Sequence, residues 1–239
     1  MIKINNLTKK YGNYTAIDNL TLHIKKGEIF ALLGLNGAGK STTINILCSL
    51  IKKTSGQIFI DNLNLDTDAI KIKQIINLSP QETAIANNLT VKENLLFIAD
   101  LYNITNKNEE ITSLLTKFNL IKKEKSLAKT LSGGQKRKLS LAMALITKPK
   151  ILILDEPTLG LDIKSRKELW EMIKEYNKNS TIILTTHYLE EAEQLADRIA
   201  ILDKGKLSAL GTTQEIINSS NSQNFESAFL KLTGEDENE

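Results

Sequence analysis

Gly34-Leu35-Asn36-Gly37-Ala38-Gly39-Lys40-Ser41 fits the pattern G-x-x-x-x-G-K-[ST] at every position. Three glycines let the backbone turn tightly enough to aim successive N–H groups at one anion. Lys40 adds a point charge with the reach to meet outer phosphates, and the Ser41 hydroxyl is placed to ligate Mg²⁺. The flanks agree with this reading. Ile29-Phe30-Ala31-Leu32-Leu33 reads as a buried strand, and Ser41 to Leu50 as a helix whose positive dipole end faces the phosphates. A glycine-rich turn matched by chance has no reason to lie between that strand and that helix. The stretch is read as a nucleoside-triphosphate site in an α/β core.

The bulk properties narrow what the triphosphate serves. At 239 residues the chain has room for one large domain, or for a core carrying an inserted subdomain. A net charge of +3 gives no argument for nucleic acid, and none is expected as a partner. The single cysteine, Cys48, excludes an internal disulfide and suits a reducing cytosol; on the helix after the phosphate loop it reads as a small buried filler. Met1-Ile2-Lys3-Ile4-Asn5-Asn6 opens with no long apolar run and no cleavage site, so no secretory leader is expected. No run of about 18 apolar residues occurs, so a membrane function would need its span from another chain.

Along the chain, Ile2 to Lys10 reads as a strand ending at the turn Tyr11-Gly12-Asn13. Leu20, Leu22 and Ile24 alternate with polar residues as a half-buried strand, and His23 falls on its solvated side. Gln57 to Ile60 and Ile75 to Ser79 follow as strands, and Pro80 leaves Gln81 on a loop. From about Asn87 to Lys129 the apolar residues recur at helical spacing with no strand between them, opened by a capping box from Thr90 to Glu93. The lysines at 122, 123, 125 and 129 read as a solvated face. Ser132, Gly133 and Gly134 then precede a helix expected over Lys136 to Ile146, a second anion-binding helix start in a chain that already has one.

Ile151-Leu152-Ile153-Leu154 is wholly apolar, as a parallel strand covered on both faces requires, and it ends at Asp155 and Glu156. Adjacent carboxylates at that edge suit two tasks: one holds Mg²⁺ through its hydration shell, the other orients or deprotonates a water. A helix over Lys164 to Tyr176 places Trp170 inward, and a second apolar strand, Thr181 to Thr186, delivers His187 to the same edge. Helix, strand, turn and strand alternate after it, and a helical tail runs out into the acidic ending Glu235-Asp236-Glu237-Asn238-Glu239.

Taken together these residues resemble the nucleotide-binding subunit of ABC transporters over nearly the whole chain. The specific marker is Leu131-Ser132-Gly133-Gly134-Gln135, which is similar to that family's signature sequence. The resemblance implies an α/β fold, a P-loop NTPase (RecA-like) core with a mixed sheet and N-terminal antiparallel strands, plus an inserted all-helical subdomain. It divides a single domain, 1-239, into a core of 1-86 and 131-239, an insertion at 87-130 and an acidic tail at 234-239.

Residue by residue, the resemblance makes Tyr11 the aromatic that stacks on adenine. Gly34 to Ser41, with Thr42 after it, becomes the Walker A loop; Gln81 becomes the glutamine that touches Mg²⁺ or the attacking water. Asp155 becomes the Walker B aspartate, Glu156 the catalytic carboxylate and His187 the switch histidine on the γ-phosphate. Leu159-Gly160-Leu161-Asp162 stands where the D-loop belongs, with glycine in place of the usual serine–alanine start.

The implied partners are a second copy, whose Ser132 to Gly134 segment would cover the phosphates held by Lys40, and separately encoded polytopic membrane subunits. ATP and Mg²⁺ are the implied cofactors, and the implied location is the cytoplasmic face of the plasma membrane. The run Gln135 to Ser140, the run Asp155 to Asp162 and the ending Phe225 to Gly234 are most similar to the exporter branch for antibiotics, haem, polysaccharide and sodium. A cytosolic ABC ATPase acting on nucleic acid or ribosomes is the competing expectation. It calls for a long coiled coil or a second cassette, and this chain has neither.

Overall fold

The computed structural model describes residues 1–177 and 180–234, so the acidic ending expected over 234–239 lies, apart from Gly234, outside the described residues. The chain begins with two long antiparallel strands, β1 (Ile2–Tyr11) and β2 (Tyr14–Ile24), joined at Gly12-Asn13. β3 (Ile29–Leu33) leads through the phosphate loop into α1 (Lys40–Leu47), which ends three residues earlier than its sequence suggests because Ser49 turns to positive φ. β4 (Ser55–Ile60), the two-residue β5 (Leu63–Asn64), the short α2 (Ala69–Lys73) and β6 (Ile76–Ser79) follow.

The middle of the chain is helical: α3 (Val91–Leu101) and α4 (Lys107–Lys117), then α5 (Gly133–Leu145). The expected capping box at Thr90 and Glu93 opens α3. The second half alternates: β7 (Ile151–Asp155), α6 (Ile163–Asn177), β8 (Thr181–Thr186), α7 (Leu189–Leu195), β9 (Arg198–Asp203) and β10 (Lys206–Gly211). The helices α8 (Thr213–Ser220) and α9 (Phe225–Leu232) close the described part.

Two sheets form. The first, ordered β2-β1-β4-β5, is antiparallel; the second, ordered β10-β9-β3-β8-β7-β6, is parallel except for β10. Strand β3 shows why both faces of the second sheet are apolar. Ile29, Ala31 and Leu33 join one core, with α5, α6, α7 and the buried faces of α3 and α4. Phe30 and Leu32 join the other, with α1 and the antiparallel sheet. The helical segment has no core of its own: Val91, Leu95, Ile111, Leu115 and Phe118 pack into the same cluster as Leu139 and Leu184.

Register then fixes the site. Leu33 pairs with Thr186 and Asp155 with Thr185, so β3, β7 and β8 end together at one sheet edge. The phosphate loop, Glu156 and His187 all leave the sheet there, which is where open α/β sheets place ligands.

Candidate nucleotide site

The loop is built around two close backbone approaches. A Cβ at Gly34 would lie 2.4 Å from the Leu202 carbonyl oxygen, and one at Gly39 would lie 2.7 Å from that of Ala16. Gly39 also has φ +98, so both space and conformation demand glycine at that position. Inside the loop Lys40 is nearly buried, and its Nζ donates to the carbonyls of Gly34 at 2.7 Å and Leu35 at 3.2 Å. The same ammonium stands 3.5 Å from Glu156 Oε1. Burial lowers the Lys40 pKa, and the charge and hydrogen bond of Glu156 oppose that shift.

Asp155 and Glu156 have different contacts. The Asp155 carboxylate accepts from Thr185 Oγ1, and its Oδ1 lies 3.4 Å from Ser41 Oγ. Glu156 has φ +48, a left-handed conformation that costs a non-glycine residue of order 1–3 kcal/mol and persists only where the surroundings hold it. Here the Glu156 N–H donates to both the carbonyl and the hydroxyl of Thr185, each at 3.1 Å. Its side chain reaches Lys40 on one side and His187 Nδ1, at 2.9 Å, on the other. Lysine, carboxylate and imidazole thus form a continuous row.

These groups line an open cleft of about 370 Å³ together with Tyr11, Asn36, Gly37, Ala38, Gly39, Ser41, Thr42 and Gln81. Tyr11 is about half exposed at the rim, with Lys9 Nζ 4.5 Å from its ring centroid; Tyr14, which sequence reasoning passed over, lines the same rim. Gly34 and Leu35 lie beneath the loop, where their carbonyls receive Lys40. Among the described residues no group of three or more His, Cys, Asp and Glu side chains gathers as a metal cluster. The oxygen pair Ser41 and Asp155 is the arrangement that a hard cation bridging to phosphate oxygens would use.

Ser132, Gly133, Gly134, Gln135 and Asp162 do not line that cleft. Helix α5 starts at Gly133, three residues before its expected start, because Ser132 and Gln135 form a capping box: Ser132 Oγ accepts from the Gln135 N–H at 3.3 Å, and Gln135 Oε1 accepts from the Ser132 N–H at 3.1 Å. The S-x-x-Q spacing carried that signal. The Asp162 carboxylate accepts from the backbone N–H and hydroxyl of Ser165 in the first turn of α6.

Two buried charged residues beside the site were not singled out from sequence. Arg137 of α5 donates to five main-chain carbonyls of the Gln81 and Glu156 segments. Glu191 of α7 accepts from Thr158 Oγ1 at 2.8 Å and Trp170 Nε1 at 3.2 Å, and burial raises its pKa. Both occupy buried helix faces, Arg137 in register with Leu141 and Ala144, Glu191 with Leu195. A charge on an apolar stripe was the available clue.

The glycine-rich loop holding Lys40, the carboxylates Asp155 and Glu156, and His187 meet at one parallel-sheet edge, which is the arrangement of a P-loop ATPase. The family model "ABC transporter" matches residues 17–159, and the chain belongs to that family. It is 40% identical over 219 residues to the linearmycin resistance ATP-binding protein LnrL of Bacillus subtilis (strain 168), covering 90% of this chain and 70% of that one. It is 41% identical to the human phospholipid-transporting ATPase ABCA3 over 89% of this chain, but spans only 13% of that much longer protein.

Among solved structures, an ATP-binding subunit of an ABC transporter superposes with a TM-score of 0.88 at 29% identity, over 98% of this chain and 99% of that one. An ATP-binding cassette captured as a dimer in a post-hydrolysis state with ADP and Pi gives 0.81 at 28% identity, over 89% and 98%. The chain is thus an ATPase cassette of the transporter family.

Proposed function

We propose that the chain is the ATP-hydrolysing subunit of an exporter, acting as a head-to-tail pair on separate membrane-spanning subunits at the cytoplasmic face of the plasma membrane. The observation that carries this reading is the separation of two anion-binding features in one chain. The loop at Lys40 lines the cleft, whereas the helix start lies outside it with Ser132 and Gly133 exposed. Each cleft therefore takes its missing donors from the signature helix of a second copy, with Asp162 near the seam between them.

Within the pair, Tyr11 stacks on the adenine, and the loop from Gly34 to Ser41, with Thr42, wraps the phosphates. Ser41, Asp155 and Gln81 would hold Mg²⁺, which would supply positive charge against the triphosphate. Glu156 orients and deprotonates the attacking water, and His187, 2.9 Å from it, holds the γ-phosphate end. Product release opens the pair. Among the described residues no helix is long and apolar enough to cross a membrane. Phe97 and Leu101, one turn apart on α3 and each more than 60% exposed, offer an apolar patch for a membrane subunit.

The similarity to the linearmycin resistance protein LnrL favours an antibiotic-like cargo carried outward. Glu156→Gln tests the reading. It should keep ATP affinity and accumulate an ATP-bound dimer, while turnover falls by roughly 10²–10⁴. Parental turnover in that variant would remove Glu156 from the base role.

A further inference from the structure

Arg137 is 5% exposed, and it has a guanidinium with five N–H donors in a planar fork. All five are used, and every acceptor is a main-chain carbonyl. Nε donates to Pro157 at 2.7 Å; Nη1 to Pro80 at 2.6 Å and Gln81 at 3.1 Å; Nη2 to Asp155 and Glu156, both at 2.7 Å. Among the described residues Arg137 takes no direct carboxylate partner. A buried cation spent wholly on carbonyls is costly to desolvate unless its geometry is needed.

The location gives the need. Those carbonyls belong to the two segments at the ends of β6 and β7, the ones presenting Gln81 and Glu156, while Arg137 itself sits just over one turn into the helix that starts at the Ser132 cap. Glu156 is strained at φ +48. Thr185 holds its N–H side, and Arg137 holds its carbonyl side. Together they over-determine a backbone turn that would otherwise relax and carry the carboxylate away.

We propose that Arg137 is a positioning residue for ATP hydrolysis: it clamps the Glu156 and Gln81 backbones to the signature helix and so fixes the groups that orient the attacking water. This rests on the reading of Glu156 as the base. Lysine cannot replace it. An ammonium has three donors and no fork, so it can serve one segment but not both.

The test uses the full chain with Arg137→Gln and Arg137→Lys, each alone and combined with Glu156→Gln. In both single variants kcat should fall about tenfold or more, while KM for ATP stays within about twofold. In the Glu156→Gln background, where no base remains to be positioned, the same changes should cost less than about twofold in residual turnover. A merely structural role would instead shift KM and Tm together and add in full in both backgrounds. Parental kcat in Arg137→Lys, or additive losses in the cycle, would overturn the proposal. If Arg137→Gln does not fold, Arg137→Lys carries the same decision. A parent chain without ATP turnover would defeat the motor reading itself; a turning-over parent matched by its Arg137 variants would defeat only this one.

Discussion

Lys40 and Glu156, 3.5 Å apart and nearly buried, hold opposite charges in the floor of the cleft, and neither can lose its partner cheaply. Lys40→Ala removes a charged donor to phosphate, worth about 1.5–3 kcal/mol, so ATP affinity should drop about 10–100-fold in an equilibrium titration. An unchanged Kd would contradict the assignment of the loop. Glu191 makes a different prediction. Burial raises its pKa above the ordinary 4.5, so between those values the native chain binds more protons than the unfolded one. The stability supplied by protonated Glu191 is therefore present below the ordinary value and lost as pH rises through the raised one. Glu191→Gln keeps an acceptor for Thr158 and Trp170 but cannot ionise. Its Tm relative to the parent should rise as pH increases above the ordinary carboxylate value, and a difference independent of pH would show that burial does not raise the Glu191 pKa. Lys40 was legible because its pattern is contiguous. Arg137 and Glu191 were not, because their partners lie 18 to 57 residues away and offer main-chain carbonyls or a lone hydroxyl and indole, which leave no local pattern.

Helix α5 shows what an element adds to its residues. Its first turn carries a local device, the Ser132–Gln135 capping box, and in the proposed pair it also supplies the donors to a partner's phosphates. The two roles separate by substitution. Ser132→Ala should cost about 1 kcal/mol in a urea melt of the isolated chain through loss of the cap, and leave ATP affinity unchanged, since Ser132 lies outside the cleft. Ser132→Asp restores a good cap, and the stability with it, but sets a carboxylate against the γ-phosphate of the other copy; gel filtration with ATP should then show no dimer. If Ser132→Asp dimerises normally, the signature helix does not cover the nucleotide. At this scale the strongly periodic elements were readable in advance: β3, β7 and β8 from unbroken apolar runs, α3 from its capping box and stripe. What escaped was short or locally ambiguous. β5 has two residues and α2 five, too few for any period to declare itself. The first stretch of β2, from Tyr14, breaks its alternation at register shifts against β1.

For the molecule as a whole, the question is whether one chain holds a complete site. In the proposed pair each chain brings a Lys40 half and, outside its own cleft, a Ser132 half, so two copies would make two composite sites, each drawing one half from either chain. This gives a prediction that no self-contained ATPase would satisfy. In a Glu156→Gln background, Lys40→Ala alone should fail to form an ATP-bound dimer because both sites lack the phosphate lysine. Ser132→Asp alone should fail because both lack a usable cover. Mixed, the two variants can pair so that the intact loop of the second meets the intact signature helix of the first, giving one whole site and one doubly broken site. Light scattering with ATP should show a dimer only in the mixture, weaker than the parental one and retaining about one ATP per pair of chains. If the mixture stays monomeric while the parent dimerises, the two halves do not meet across the pair. If Ser132→Asp dimerises unaided, each chain completes its own site. Phe97→Asp supplies the counterpart on the membrane side. It touches neither half-site, so dimerisation and turnover of the isolated chain should be unchanged while co-purification with a polytopic partner is lost, which separates the engine from the surface through which it pulls.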